Sequence, residues 1–271
     1  MVRKFRSVKP IVIVFFLVML LGGNCVWASP KDAAECKKYA SGEYPSPIFA
    51  ITPCSRQIES SPDDLESVFW RGVAYFKRGS SSQNDYQSAL ADFNKVLGTY
   101  PNDMQALENR ASCYLELKRY EEAIADASEV IASDCKALGS FMVRAKALFW
   151  LNRYEESLSD YTAALALNPR NENTKFDAFL WRGSCNRWLK KYEQAVVDYR
   201  NALAVQPSHT YINRNIADCL VPLGRKREAI DALKAYISTY VEPELVKPGT
   251  AHTYYVQEKV RAKAKIEELS K

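Results

Sequence analysis

The chain has 271 residues, 47% of them apolar and 25% charged, with 12 prolines and 10 glycines. That composition excludes collagenous and intrinsically disordered classes, and the length allows one large or two small domains around a buried core. A formal charge of +5 would suit an anionic partner only if the basic side chains stayed with the working protein and clustered there.

They do not. Arg3, Lys4, Arg6 and Lys9 stand in the first 28 residues with no acid among them. An apolar run from Ile11 to Leu21 follows, then Gly22, Gly23 and the small-residue pattern Val26-Trp27-Ala28. This is the layout of an export signal, with cleavage after Ala28. The alternative is an uncleaved anchor, but eleven apolar residues at 1.5 Å each reach only about 16 Å into a hydrocarbon core roughly 30 Å thick. Without the segment, 33 basic side chains face 32 acidic ones, so no nucleic-acid partner is expected. No membrane insertion is expected after cleavage either, and the expected location is periplasmic or secreted.

Export leaves six cysteines in an oxidising compartment, which permits up to three disulfides without requiring any. Residues 29–64 hold two of them. Cys36 and Cys54 lie on two expected helical limbs, separated by a loop carrying Pro45, Pro47 and Pro53. Ala50, Cys54, Gln57 and Pro62 keep the register of a second repeat helix, so this stretch reads as a degenerate hairpin closed by a Cys36–Cys54 disulfide.

From Leu65 onward the chain matches itself at a period of 34 residues. The first copy, with one insertion, carries Val68, Gly72, Tyr75, Tyr86, Ala89, Phe93, Val96 and Pro101; the second has Leu107, Ala111, Tyr114, Tyr120, Ala123, Ala127, Val130 and Cys135. A third runs from Phe141 to Pro169, a fourth from Phe179 to Pro207, and a weaker fifth carries Ala217, Leu220, Ala229, Leu233 and Tyr236. Within each copy the apolar positions fall three and four apart in two runs split by a short turn such as Leu117-Lys118-Arg119, so each copy is a helical hairpin. One hairpin cannot bury its apolar face, and stacking its neighbours does so.

This pattern resembles the tetratricopeptide repeat family, which implies an all-α, right-handed α-solenoid of about five helix-turn-helix units with capping helices at both ends. The expected units lie near residues 65–103, 104–137, 138–171, 176–209 and 210–240, in one continuous stack, with 241–271 closing the last apolar surface. Ser80–Asn84 lengthens the first internal turn, and Glu172–Lys175 lengthens the link before the fourth unit. Pro222 should end the first helix of the fifth unit before Gly224.

Arg71, Arg110, Arg144 and Arg182 share the seventh position of repeats one to four, and Asp92, Asp126, Asp160 and Asp198 share the twenty-third. Repeat five lacks both, with Ile216 and Ala232. Joint presence and joint absence predict pairing between the two helices of each unit. Cys113, Cys185 and Cys219 take a position filled elsewhere by Ala74 and Ala147, so they are expected to be small buried residues rather than disulfide partners.

The catalytic inventory is thin: two histidines, His209 and His252, and no zinc-hydrolase, serine-hydrolase, phosphate-loop or CxxC pattern. No catalytic residue, metal or cofactor is expected. The resemblance implies that first helices line a ligand groove. Carried over by position, that groove holds Trp70, Lys146, Trp150, Trp181, Arg187, Trp188 and Arg214 as candidate partner contacts. The family's clamp for acidic C-terminal tails is broken, because Phe69, Val73 and Val143 stand where its polar members belong. Aromatic rings interleaved with arginine and lysine are hot-spot composition for a protein or peptide partner. The expected function is a non-enzymatic interaction scaffold or adaptor of the cell envelope. The alternative is an accessory binder of envelope polysaccharide or peptidoglycan, through stacking of the same rings on sugars.

Overall fold

The computed structural model describes residues 30–41, 47–79, 82–238 and 250–271. The expected export signal lies outside the described residues, as does the stretch 239–249 before the last helix. The described residues form thirteen α-helices and a 3-10 turn, with no strand among them. The chain divides into two compact units, Met1–Val96 and Leu97–Lys271.

The N-terminal unit contains α1 (Pro30–Ser41), the 3-10 turn Pro47–Ala50, α2 (Ile51–Ser60), α3 (Leu65–Arg78) and most of α4 (Gln83–Thr99). Within this unit the first repeat is bound to the hairpin before it. Cys36, Ala50, Cys54 and Ala74 make one buried cluster, with Ile51 and Trp70 packed on it, and Lys95 Nζ donates to the Pro62 carbonyl at 2.6 Å. A Cys36–Cys54 disulfide joins the limbs, with the Cα atoms 4.7 Å apart and a sequence separation of 18. Closing a loop of that length stabilises the fold by about 3 kcal/mol in the chain-entropy view.

The larger unit continues with α5 (Met104–Glu116), α6 (Tyr120–Ser133), α7 (Leu138–Trp150), α8 (Tyr154–Ala166), α9 (Glu172–Trp188), α10 (Tyr192–Val205), α11 (Ile212–Leu220), α12 (Lys226–Ser238) and α13 (Thr250–Ser270). These helices pair as hairpins, and each hairpin packs on the next. The turns share one device. Lys118, Asn152 and Lys190 are left-handed at φ of 61°, 61° and 59°, and Gly224 at 73°. At each turn the following amide reaches back to the last helical turn, as Arg119 N does to the Tyr114 carbonyl at 2.8 Å, Arg153 N to Leu148 at 2.9 Å and Lys191 N to Asn186 at 2.8 Å. This is Schellman closure, and in the fifth hairpin Gly224 performs it after α11 stops at Leu220, two residues ahead of Pro222.

Residues Glu172–Lys175, expected in a link, instead form the first turn of α9. Asn171 caps that turn by accepting the Thr174 amide at 3.1 Å, and Glu172 sits at the positive end of the helix, so the local chemistry favours extending the helix.

Close approach within a hairpin occurs where the repeat is smallest. A Cβ built on Gly183 would lie 3.0 Å from the Tyr199 ring and 3.2 Å from Asp198 Cβ, so this glycine admits the ring. Beside each such contact runs a bidentate ion pair. Arg71 meets Asp92 at 2.7 and 2.9 Å, Arg110 meets Asp126 at 2.7 and 2.8 Å, and Arg144 meets Asp160 at 2.7 and 2.8 Å. Arg182 and Asp198 pair at 2.5 to 3.1 Å, and Asp198 also accepts from Asn186 at 2.9 Å. Cys113, Cys185 and Cys219 are buried and free, whereas Cys135 is exposed. At the C-terminal end, Ala262 and Leu269 of α13 enter the core with Leu233 and Tyr236 of α12, and Ile266 packs against it.

Candidate functional site

Five aromatic side chains meet at the turn ends of α7, α8 and α9. Trp150 closes α7, Tyr154 opens α8 and Trp188 closes α9, so two short Schellman turns deliver three rings to one place. Phe149 is nearly buried and sits 5.0 Å from Trp181 and 5.4 Å from Tyr154, centre to centre. Trp150 lies 6.0 Å from Trp181. Tyr154 and Trp188 stack with ring planes only 3° apart. Phe149 and the partly buried Tyr154 and Trp181 hold the outer rings by edge and face contacts. Trp150 and Trp188 remain 50% and 55% exposed, which is unusual for tryptophan and leaves two fixed apolar faces in water.

The other sequence candidates fare differently. Lys146 Nζ lies 4.0 Å from Glu116. Arg187 is 3.5 Å from Asp218 and 5.8 Å over the Trp188 ring. Arg214 was expected to face a ligand, but it pairs with Glu258 of α13, whose side chain is 3% exposed and which also takes Arg261 at 2.6 Å. It therefore docks the last helix. Trp70 belongs to the N-terminal unit and packs half-buried against the disulfide cluster, so it serves as core there. Tyr154 is the member that position rules missed. Its signal was the tyrosine recurring at the head of second helices, Tyr120, Tyr154 and Tyr192, which reads as packing until Trp188 is seen lying on it.

Burial pushes the Cys113 thiol up to about 12 and those of Cys185 and Cys219 to about 11, so all three stay protonated at neutral pH. His209 lies between the Phe176 and Tyr211 rings, at 4.4 and 5.8 Å. Among the described residues no three His, Cys, Asp or Glu side chains are grouped to hold a metal ion. Nor is any described helix long and apolar enough to cross a membrane.

Comparison with known proteins agrees with this architecture. The profile of the tetratricopeptide repeat matches residues 81–135 and 189–240, which supports that family. Human peptidyl-prolyl cis-trans isomerase FKBP4 is 34% identical over 70 residues, covering 26% of this chain, and the chain spans only 14% of the length of that relative. Among solved structures, a tetratricopeptide repeat protein from Parabacteroides merdae superposes with a TM-score of 0.60 at 17% identity, over 89% of this chain and 93% of its own. A MamA protein gives 0.58 at 16% identity, over 68% of this chain and 100% of its own. YrrB, described as a TPR protein with an unusual peptide-binding site, gives 0.56 at 16% identity, over 76% and 97%. At these identities the likeness is one of fold.

Proposed function

We propose that this tetratricopeptide-repeat chain is a non-enzymatic scaffold that holds an extended segment of a partner protein on the face formed by Trp150, Trp181 and Trp188. One observation carries this reading: Trp150 and Trp188 are half exposed, Trp150 set against the buried Phe149 ring and Trp188 stacked on the partly buried Tyr154, which itself rests on Phe149. A rigid, preorganised aromatic anchor loses little entropy on binding, which is the usual property of an interaction hot spot. Tetratricopeptide folds typically bind proteins or peptides, and YrrB has a peptide-binding site by its own description.

The place of action is the cell envelope or the exterior, as an exported adaptor. The acid-free basic and apolar N-terminal segment supports this reading, and a Cys36–Cys54 disulfide suits an oxidising compartment. The test is a crosslinking pull-down from an envelope fraction with the native chain and with Trp150→Ala/Trp188→Ala. Loss of a captured protein on substitution supports the scaffold. Unchanged capture overturns it, and retention by sedimented cell-wall polymer that depends on the same tryptophans moves the assignment to polysaccharide. A signal-dependent shift of the chain between cytoplasmic and extracytoplasmic fractions tests the location separately.

A further inference from the structure

Beside Trp188 a recess of about 550 Å³ opens between the end of α9, its following turn, α11 and α13. Its walls include Trp188, Tyr192 and Val221, and its charged groups are Arg187, Lys190, Lys265 and Asp218. We propose that this recess receives an acidic side chain of the bound segment, with an adjacent aromatic or large apolar residue lying on Trp188. The proposal rests on the reading of the tryptophan face as a segment-binding surface and names what that segment must carry.

Charge complementarity is the first reason. Three cations line the recess against one carboxylate, and none of the three is saturated. Arg187 stands 3.5 Å from Asp218, well beyond the 2.7–2.9 Å of a strong charge-assisted bond, so its guanidinium retains donors. Lys265 bonds Glu268 at 2.7 Å, but the Glu268 side chain is 67% exposed, and such a surface pair yields at little cost to a competing carboxylate. Lys190 makes no ion pair with any described residue, and its backbone is locked in the left-handed turn. Asp218 is substantially desolvated and feels the cations Arg214, Arg187 and Lys265 together with the opposing carboxylate of Glu258.

Shape is the second reason. Trp188 offers one face to Tyr154 and remains 55% exposed. The recess begins at its edge, so a residue on the ring and an acidic neighbour in the recess fall within one or two residues of each other on an extended segment. The arrangement differs from a carboxylate clamp spread over three first helices. It draws on one helix end, one turn and the capping helix, which Ala262 and Leu269 in the core and the Arg214–Glu258 pair hold in place.

The experiment pans a library of random displayed peptides on the full chain and counter-screens it on Trp150→Ala/Trp188→Ala. Tryptophan-dependent peptides should be enriched in Asp or Glu next to an aromatic residue. Replacing that acid by its amide should weaken binding about fivefold to tenfold, as expected for a partly solvated charge-assisted contact. The gap should close in Lys190→Ala/Lys265→Ala, with circular dichroism showing an intact fold, and should shrink as salt rises. Tryptophan-dependent peptides without an acid preference, or a preference that survives the double lysine substitution, overturn the recess and leave the tryptophan face standing. An absence of tryptophan-dependent peptides overturns that face and the recess with it.

Discussion

Arg144 crosses from α7 to α8 with two nitrogens on the Asp160 carboxylate, at 2.7 and 2.8 Å, and a third 3.1 Å from Ser128 of the preceding hairpin. The Asp160 side chain is 8% exposed and that of Arg144 23%. Arg144→Ile leaves a nearly buried carboxylate without its cation and should cost about 3–5 kcal/mol. Asp160→Ala strands a guanidinium that can still turn toward water, so its cost should be smaller, about 2–3 kcal/mol. The fifth repeat already contains the apolar solution, Ile216 and Ala232, at the same two positions. Arg144→Ile/Asp160→Ala copies it, removes both desolvated charges and should cost no more than about 2 kcal/mol, far less than the singles combined. The assay is urea unfolding of the four proteins by far-UV circular dichroism, with slopes compared before energies are extracted. Because stacked repeats can open separately, amide exchange over α7 and α8 reads the same cycle locally. Single effects that add to the double within about 0.5 kcal/mol would refute a coupled pair and make the bidentate geometry incidental.

Further outcomes follow from other contacts. Lys118 pays the left-handed penalty of roughly 1–2 kcal/mol at φ 61°, partly offset in the unfolded chain if glycine replaces it, so Lys118→Gly should stabilise by about 0.5–1 kcal/mol. A lower thermal midpoint for that variant would contradict the turn geometry. Of the free cysteines among the described residues, native alkylation followed by peptide mass mapping should label Cys135 alone, with Cys113, Cys185 and Cys219 reacting only after denaturation, because burial both hides their thiols and raises their pKa. Labelling of Cys185 at native pH would count against its place in the core. Arg78, bonded to both Asp85 oxygens at 2.6 and 2.7 Å, holds that carboxyl below its usual 3.8. Its contribution is therefore complete above the unfolded value and fades as pH falls through the lower folded one. Asp85→Asn should flatten the acid limb of stability below about pH 4, and an unchanged limb would show the pair to be idle.

The 34-residue period, the hairpins and the Arg–Asp pairs were legible because each is local or repeats at nearest-neighbour distance. A residue recurring at one position of every unit meets the same surroundings each time. Cys113, Cys185 and Cys219 could be read as small buried residues for that reason. A second helix starting with tyrosine looked like plain packing, and only the stacked structure showed Tyr154 carrying Trp188. The link before the fourth unit was misread because a single residue, Asn171, decides whether Glu172–Lys175 coil or join the helix.

By itself, the sequence therefore determined an all-helical array of paired helices, the apolar face of each and the buried ion pairs between them. The aperiodic contacts were settled by tertiary structure. Trp70 became core because the disulfide-closed hairpin lies against it, and Arg214 became a tether because Glu258, 44 positions later, arrives buried beside it. The recess formed because α13 brings Lys265 to the end of α9. Periodicity encodes how each unit meets the next, whereas the ends of the array meet surfaces that occur once, and their pairing depends on where the chain turns in three dimensions.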